Sequence, residues 1–497
     1  SAEITATSIG PVTIGGDWLG GGANTAYLSA PGGIGNFTVG GSFVGGTGNN
    51  SGYLLTNGKI GAVKIGGDFI GGSASSAGAI VAQDNTIASI SIHGSLVGGS
   101  ALGAGFIDAD AGTAAISIGG DFIGGSAVQA GTIASFRADI AKTAITIGGS
   151  FYGGSATKAG YIGLQGSATV KVGHDMRGGG GGNTAEIFIP SITSATIGGS
   201  IAGGGGTFSG ALIAGDDLGT TKIGGNVRGG AGPHSGIVQS DGGQILGLTI
   251  GGSLIGGDGN ASARVFAAGD IGKITIKRDL RGSTNAATTD GGEIFSDGGS
   301  VAGVTIGGSA TGGPGAFSGS ILAEKTLGAV SVKGSITGFA ADKPFTLRGG
   351  GTHSGADVAI ASLTVGGSVR NTLVLGGFTF NNGTVDGTVQ IGPVKVGRNW
   401  IASSMSAGVR DTLGDGYGTS DDTPISAVLG AAVTQKSKIA SITIGGIVSG
   451  TFAAGDNFGF DAQQFGPIKI NGGTKTPAGV PLLVAPVTKD VFIYKAP

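Results

Sequence analysis

The sequence holds no cysteine, two methionines, two tryptophans and four histidines in 497 residues. Each scarcity closes a route. Without thiols, neither disulfides nor thiolate metal sites can hold the fold. The histidines His93, His174, His234 and His353 are scattered without metal-ligand spacing. Charged residues make up only 12% of the chain and the formal net charge is −2, so the charge balance gives no reason to bind nucleic acid or an anionic lipid surface. No apolar run reaches the roughly 18 residues that a membrane-spanning helix requires, and no stretch has the spacing of an amphipathic helix. GxSxG, HExxH and Walker patterns are absent as well.

Glycine is what the chain has in excess: 112 residues, with 13 prolines. Glycine plus proline at about a quarter of a chain marks disorder when the sequence is aperiodic. Disordered chains are also poor in apolar residues and rich in charge. Here the hydrophobic fraction is 39% and the mean hydropathy +0.30, so the chain should collapse around a core.

The glycines are periodic. VTIGGDWLGG begins at Val12, FTVGGSFVGG at Phe37, VKIGGDFIGG at Val63 and ITIGGSFYGG at Ile145, and the series runs on to IKINGG at Ile468. About 17 copies occur, mostly about 26 residues apart, a period that signals a solenoid, propeller or array. Apolar–polar–apolar alternation in I-T-I is a half-buried strand. A two-residue strand follows between the glycine pairs, and a third follows the variable loop, as in AIVAQ at Ala79 and FIDAD at Phe106. The expected fold is all-β: one right-handed parallel β-helix of about 17 rungs, with three short strands in each. Residues 1–11 would form an N-terminal edge segment, 12–473 the β-helix with a longer loop inserted around 403–437, and 474–497 a non-repeat tail.

Three columns can be read from the repeat. The glycine corners are expected to use positive φ, and stacking the same corner on every rung also leaves little room there for side chains. The Asp, Ser or Asn that follows (Asp17, Ser42, Asp68, Ser95, Asp121, Ser150) should cap local turns. The next position, Trp18, Phe43, Phe69, Leu96, Phe122 and Phe151, carries no charge and should stack in the core. The position after that becomes Arg at Arg177, Arg228, Arg281 and Arg370, so it faces solvent. Its first members, Leu19, Val44, Ile70, Val97, Ile123 and Tyr152, therefore predict an exposed apolar stripe and a lateral interface.

Two acidic groups are candidates for chemistry. Asp108 and Asp110 lie two residues apart on one strand face, the arrangement a polysaccharide lyase or hydrolase could use; a solvated face is the competing reading. Between Val394 and Ile442 the repeat spacing nearly doubles, and Asp411, Asp415, Asp421 and Asp422 in that interval could supply hard oxygen ligands to calcium. A polar loop with turn-forming Asp is the alternative. No other cofactor is expected.

Near the chain ends, Ile4 in SAEITATSIGP and Val480, Leu482, Leu483, Val491, Ile493 and Tyr494 in the tail are β-prone and apolar. They predict an end-to-end interface in which the tail donates a strand to a neighbour, or else a cap over the chain's own last rung.

The run I-T-I-G-G-S-L-x-G-G, a variable loop, then G-x-I-x-A resembles the glycine-rich solenoid repeats of large secreted or cell-surface bacterial proteins, of adhesin, surface-layer or filament-subunit type. The resemblance covers roughly residues 9–473 and carries over no catalytic residue. It implies an extracellular, non-enzymatic structural protein whose partner is itself, assembling into a filament or layer. A start at Ser1 without an apolar leader fits a mature secreted form. The alternatives are an adhesin or polysaccharide-binding module on surface glycans, and a β-helical lyase or hydrolase.

Overall fold

In Ile60–Ile65, Val63 and Ile65 are buried and Lys64 between them is exposed, as the alternation in V-K-I requires. The computed structural model describes residues 3–137, 142–352, 357–379, 386–425, 435–453, 455–477 and 480–497. After Ile60–Ile65 come the two-residue strand Phe69–Ile70 and, past the variable loop, Ala79–Ala82. Each pairs in parallel with its counterpart one repeat on: Val63 with Ile90, Phe69 with Leu96, Ala79 with Phe106. The fold is an all-β parallel solenoid of about 17 turns, about 26 residues per turn and three strands per turn. The three ladders are termed faces 1, 2 and 3 in chain order.

The chain divides into two compact units, residues 1–243 with 257–263, and 244–256 with 264–497. In the first, Trp18, Phe43, Phe69, Leu96, Phe122, Phe151 and Met176 form the inner column of face 2, none more than 8% exposed. Phe43 lies 5.0 Å from Phe69, and Phe122 4.6 Å from Phe151, ring to ring. Burying each such side chain contributes about 1.5–3 kcal/mol. In the second unit the column runs Leu280, Ala310, Ile336, Val369, Trp400. Trp400 closes against Phe460 at 5.1 Å and donates its Nε1–H to the Ser403 carbonyl.

The corner glycines are selected by closeness rather than by positive φ. A methyl on Gly40 would lie 2.5 Å from the Gly15 carbonyl oxygen, and one on Gly66 2.2 Å from that of Gly40. Positive φ falls instead just before the third strand, at Gly52, Gly78 and Gly131. The Asp/Ser column also departs from expectation, because its bonds run between turns. Asp17 Oδ1 accepts the Ser42 N–H at 2.7 Å, Ser42 Oγ the Asp68 N–H at 3.1 Å, and Asp68 Oδ1 the Ser95 N–H at 2.7 Å. In-register stacking holds the next turn's N–H within reach of each side chain, so a ladder replaces isolated turns.

Two boundaries shift. Ser404–Ala407 is a regular face 3 strand, paired with Leu373–Gly376 on one side, so the insertion starts at Gly408 rather than 403. It contains an antiparallel pair, Val409–Arg410 with Thr423–Pro424, and the chain rejoins the repeat at Lys438–Ile444; residues 426–434 of the insertion lie outside the described residues. The tail is built into its own chain. Val491–Lys495 pairs in parallel with Phe458–Ala462, and Leu482–Leu483 runs antiparallel on its other side. Val491, Ile493 and Tyr494 are buried there and are not a strand held out for a neighbour. A tethered strand meets its own ladder edge at far higher effective concentration than any second chain does. Leu482 is half-buried, while Val480 and Leu483 stay exposed. Ile4 is 44% exposed in Glu3–Thr5, which already pairs with Tyr27–Ser29.

Candidate functional site

On the outer side of face 2 in the first unit, Leu19, Val44, Ile70, Val97, Ile123 and Tyr152 fall in one unbroken register that Arg177 ends. Leu19 is 60% exposed and the other five are half-buried. Beside the stripe runs a trough of about 820 Å³, lined from Gly45 to Gly180 by glycine, serine and threonine alone. Most of its lining is glycine backbone without Cβ atoms, with Thr47, Ser73, Ser100, Ser126 and Ser155 beside it. It holds no titratable group, so it can make contact but not perform acid–base chemistry.

Face 3 carries the acids. Asp110 Oδ2 accepts from Arg137 Nη2 at 2.9 Å and from the Asp84 N–H at 3.1 Å, and Arg137 also bonds Asp84. Asp110 thus belongs to a structural ion-pair cluster. Asp108 is half-buried, its Oδ1 has no hydrogen-bond partner, and burial, with the Asp110 charge adding, pushes its carboxyl up to about 7. Glu186 behaves similarly. It is buried, and burial raises it to about 7 although Asn183 Nδ2 donates to it at 2.6 Å. Asp108 and Glu186 are three turns apart along the face, roughly 14 Å at the spacing of adjacent strands, too far for the carboxyl pair of a glycosidase. Sequence reading missed Glu186. The signal available was its column, which runs Tyr27, Tyr53, Ala79, Phe106, Thr132 and Tyr161 in the turns before it, mostly aromatic.

The inserted loop gathers the calcium candidates. Carboxylate oxygens of Asp411, Asp415 and Asp421 all lie within 4.8 Å of one another. Asp411 accepts the Gly414 and Gly416 N–H groups at 2.6 and 2.9 Å. Asp422 turns inward: it is 1% exposed, and its Oδ2 accepts the Gly418 and Thr419 N–H groups at 2.7 and 2.8 Å. Burial raises it to about 6. Beneath lies Asp461, which the sequence reading did not single out. Its neighbour Phe460 points into the core against Trp400, so strand alternation places Asp461 on the outer side, where the insertion covers it completely. Burial, then the Asp422 charge, hold its carboxyl far above the usual range. Only its period-breaking position, an acid inside an apolar FGFDA strand, could have flagged it.

Of the histidines, His234 stacks on Phe208 at 5.0 Å, His93 and His174 occupy corner positions, and His353 lies outside the described residues. No family model, curated protein or solved structure matches this chain.

Proposed function

We propose that this is a non-enzymatic extracellular structural protein whose copies associate side by side through face 2. The observation that carries the reading is the six-residue apolar ladder from Leu19 to Tyr152, partly open to solvent beside the glycine trough. At strand spacing it extends about 24 Å. Contiguous apolar surface of this kind marks interfaces more often than it decorates a monomer. The trough supports the reading, because its glycine-rich lining lets a partner's backbone approach closely. Glycine-rich composition agrees with a repetitive scaffold.

The test is sedimentation and electron imaging of the full chain beside a Val97→Lys/Ile123→Lys variant. Association would force two ammonium groups out of water, so the variant should stay dispersed at concentrations where the native chain assembles, with an unchanged circular dichroism spectrum. Equal assembly by both proteins rejects the stripe as interface.

A second reading, a polysaccharide-binding face, draws on face 3, where Tyr27 and Tyr53 stack at 5.7 Å near the perturbed Asp108 carboxyl. Retention of the chain on an insoluble glycan, lost in Tyr53→Ala, would favour it.

A further inference from the structure

Acids cluster on many protein surfaces without holding a metal. The loop from Asp411 to Asp422 differs in what lies under it. Asp461 is 0% exposed and neither of its carboxyl oxygens has a hydrogen-bond partner. The polar groups that reach it are the Gly418 N–H, already donated to Asp422, and the Asp422 carboxyl itself. Asp422 Oδ1 and Asp415 Oδ1 are likewise shielded from solvent and unpartnered. None of the five carboxyls takes part in an ion pair among the described residues.

Burying a carboxylate without a counter-charge is costly, and here Asp422 of the loop and Asp461 beneath it both face that cost. A hard dication removes it. Calcium takes six to eight oxygen ligands in adaptable geometry, whereas magnesium demands a near-ideal octahedron and keeps its waters. Zinc would call for nitrogen or sulfur, and no histidine or cysteine is among these groups. We propose that Asp411, Asp415 and Asp421 bind one calcium ion, with Asp422 and Asp461 supplying negative charge beneath it as the cation displaces the proton held there. The ion would fasten the insertion to the last turns of face 3, since Asp461 lies in register between Ser406 and Tyr494. Val409 of the insertion packs with Tyr494 and Ala496 of the tail, so the same ion would also hold the tail in place. This inference is independent of association through face 2.

The experiment is calorimetric titration of calcium chloride into the full-length chain after chelator treatment, with amide exchange measured before and after. The expected result is one ion per chain, a raised unfolding temperature, and slower exchange in Phe458–Ala462 and Val491–Lys495. Asp415→Asn and Asp421→Asn should each weaken binding at least tenfold. Asp461→Asn tests the buried charge and should also weaken binding. If that variant fails to fold, the two loop variants, which leave the interior untouched, still decide the matter. No binding at millimolar calcium, or native affinity in both loop variants, overturns the proposal.

Discussion

Glu186 shows how the solenoid sets the cost of a single side chain. It sits where an apolar residue would be cheaper, and burial lifts its carboxyl to about 7 despite the Asn183 bond. A carboxyl whose folded pKa lies above its unfolded value binds its proton more tightly when folded. Its contribution therefore falls as pH rises from the ordinary carboxyl range through about 7. Glu186→Gln keeps an acceptor for Asn183 and removes the titration. The unfolding free energy from denaturant titration should match the native chain near pH 5 and exceed it near pH 8, by on the order of 1–3 kcal/mol; equal values at both pH would show that the carboxyl pays no burial cost. Asp279 has the opposite sign. The Ser309 N–H bond, against burial and aided by Arg281, lowers its pKa, so its contribution is present above the ordinary carboxyl range and lost in acid. The column that Asp279 occupies was legible from the period, because Asp, Ser and Asn recur there. The direction of its bonds was not. A single repeat suggests a local turn, and only stacking at strand spacing reveals that the donor belongs to the next turn.

At the scale of elements, three strands per turn and the inner and outer columns of face 2 could be read directly, because alternation and the appearance of Arg separate core from surface. The tail was ambiguous for a physical reason. An apolar strand such as VFIY satisfies any open ladder edge, and sequence does not say whose. In the structure Val491–Lys495 takes the edge of Phe458–Ala462, and Gly473–Lys475 folds back antiparallel on Ile468–Ile470. Reversing direction over short strands blunts an edge that would otherwise recruit another chain. Truncation after Gly473 should therefore expose Phe458 and Ala462, lower the unfolding temperature and increase aggregation in light scattering. A connector strand predicts the reverse, with assembly abolished by the same cut. The buried Asp461 was illegible on the same grounds: the insertion that covers it comes from the far end of a loop, and no local pattern records that cover.

For the molecule as a whole, the weakness of its electrostatics decides what kind of association it can support. The net charge is −2, and of the ion pairs among the described residues, Arg137–Asp84, Arg177–Asp175 and Arg281–Asp279 include a largely exposed side chain. Exposed pairs of this kind are worth little and are screened by salt. Near-neutral chains also lack the mutual repulsion that keeps highly charged proteins apart. Contact through the face 2 stripe would then be driven by apolar burial, whose strength fades on cooling and grows with excluded salts such as sulfate. Raising sodium chloride from about 0.05 M to about 0.5 M, which shortens the screening length several-fold, should leave the assembled fraction in sedimentation unchanged or larger. Cooling should reduce it, and sulfate should restore it. Chelator should not alter it, because the acids of the inserted loop lie in the other unit from the stripe. Assemblies that dissolve in salt and survive cooling would be held by charge, and the side-by-side apolar contact would have to be abandoned.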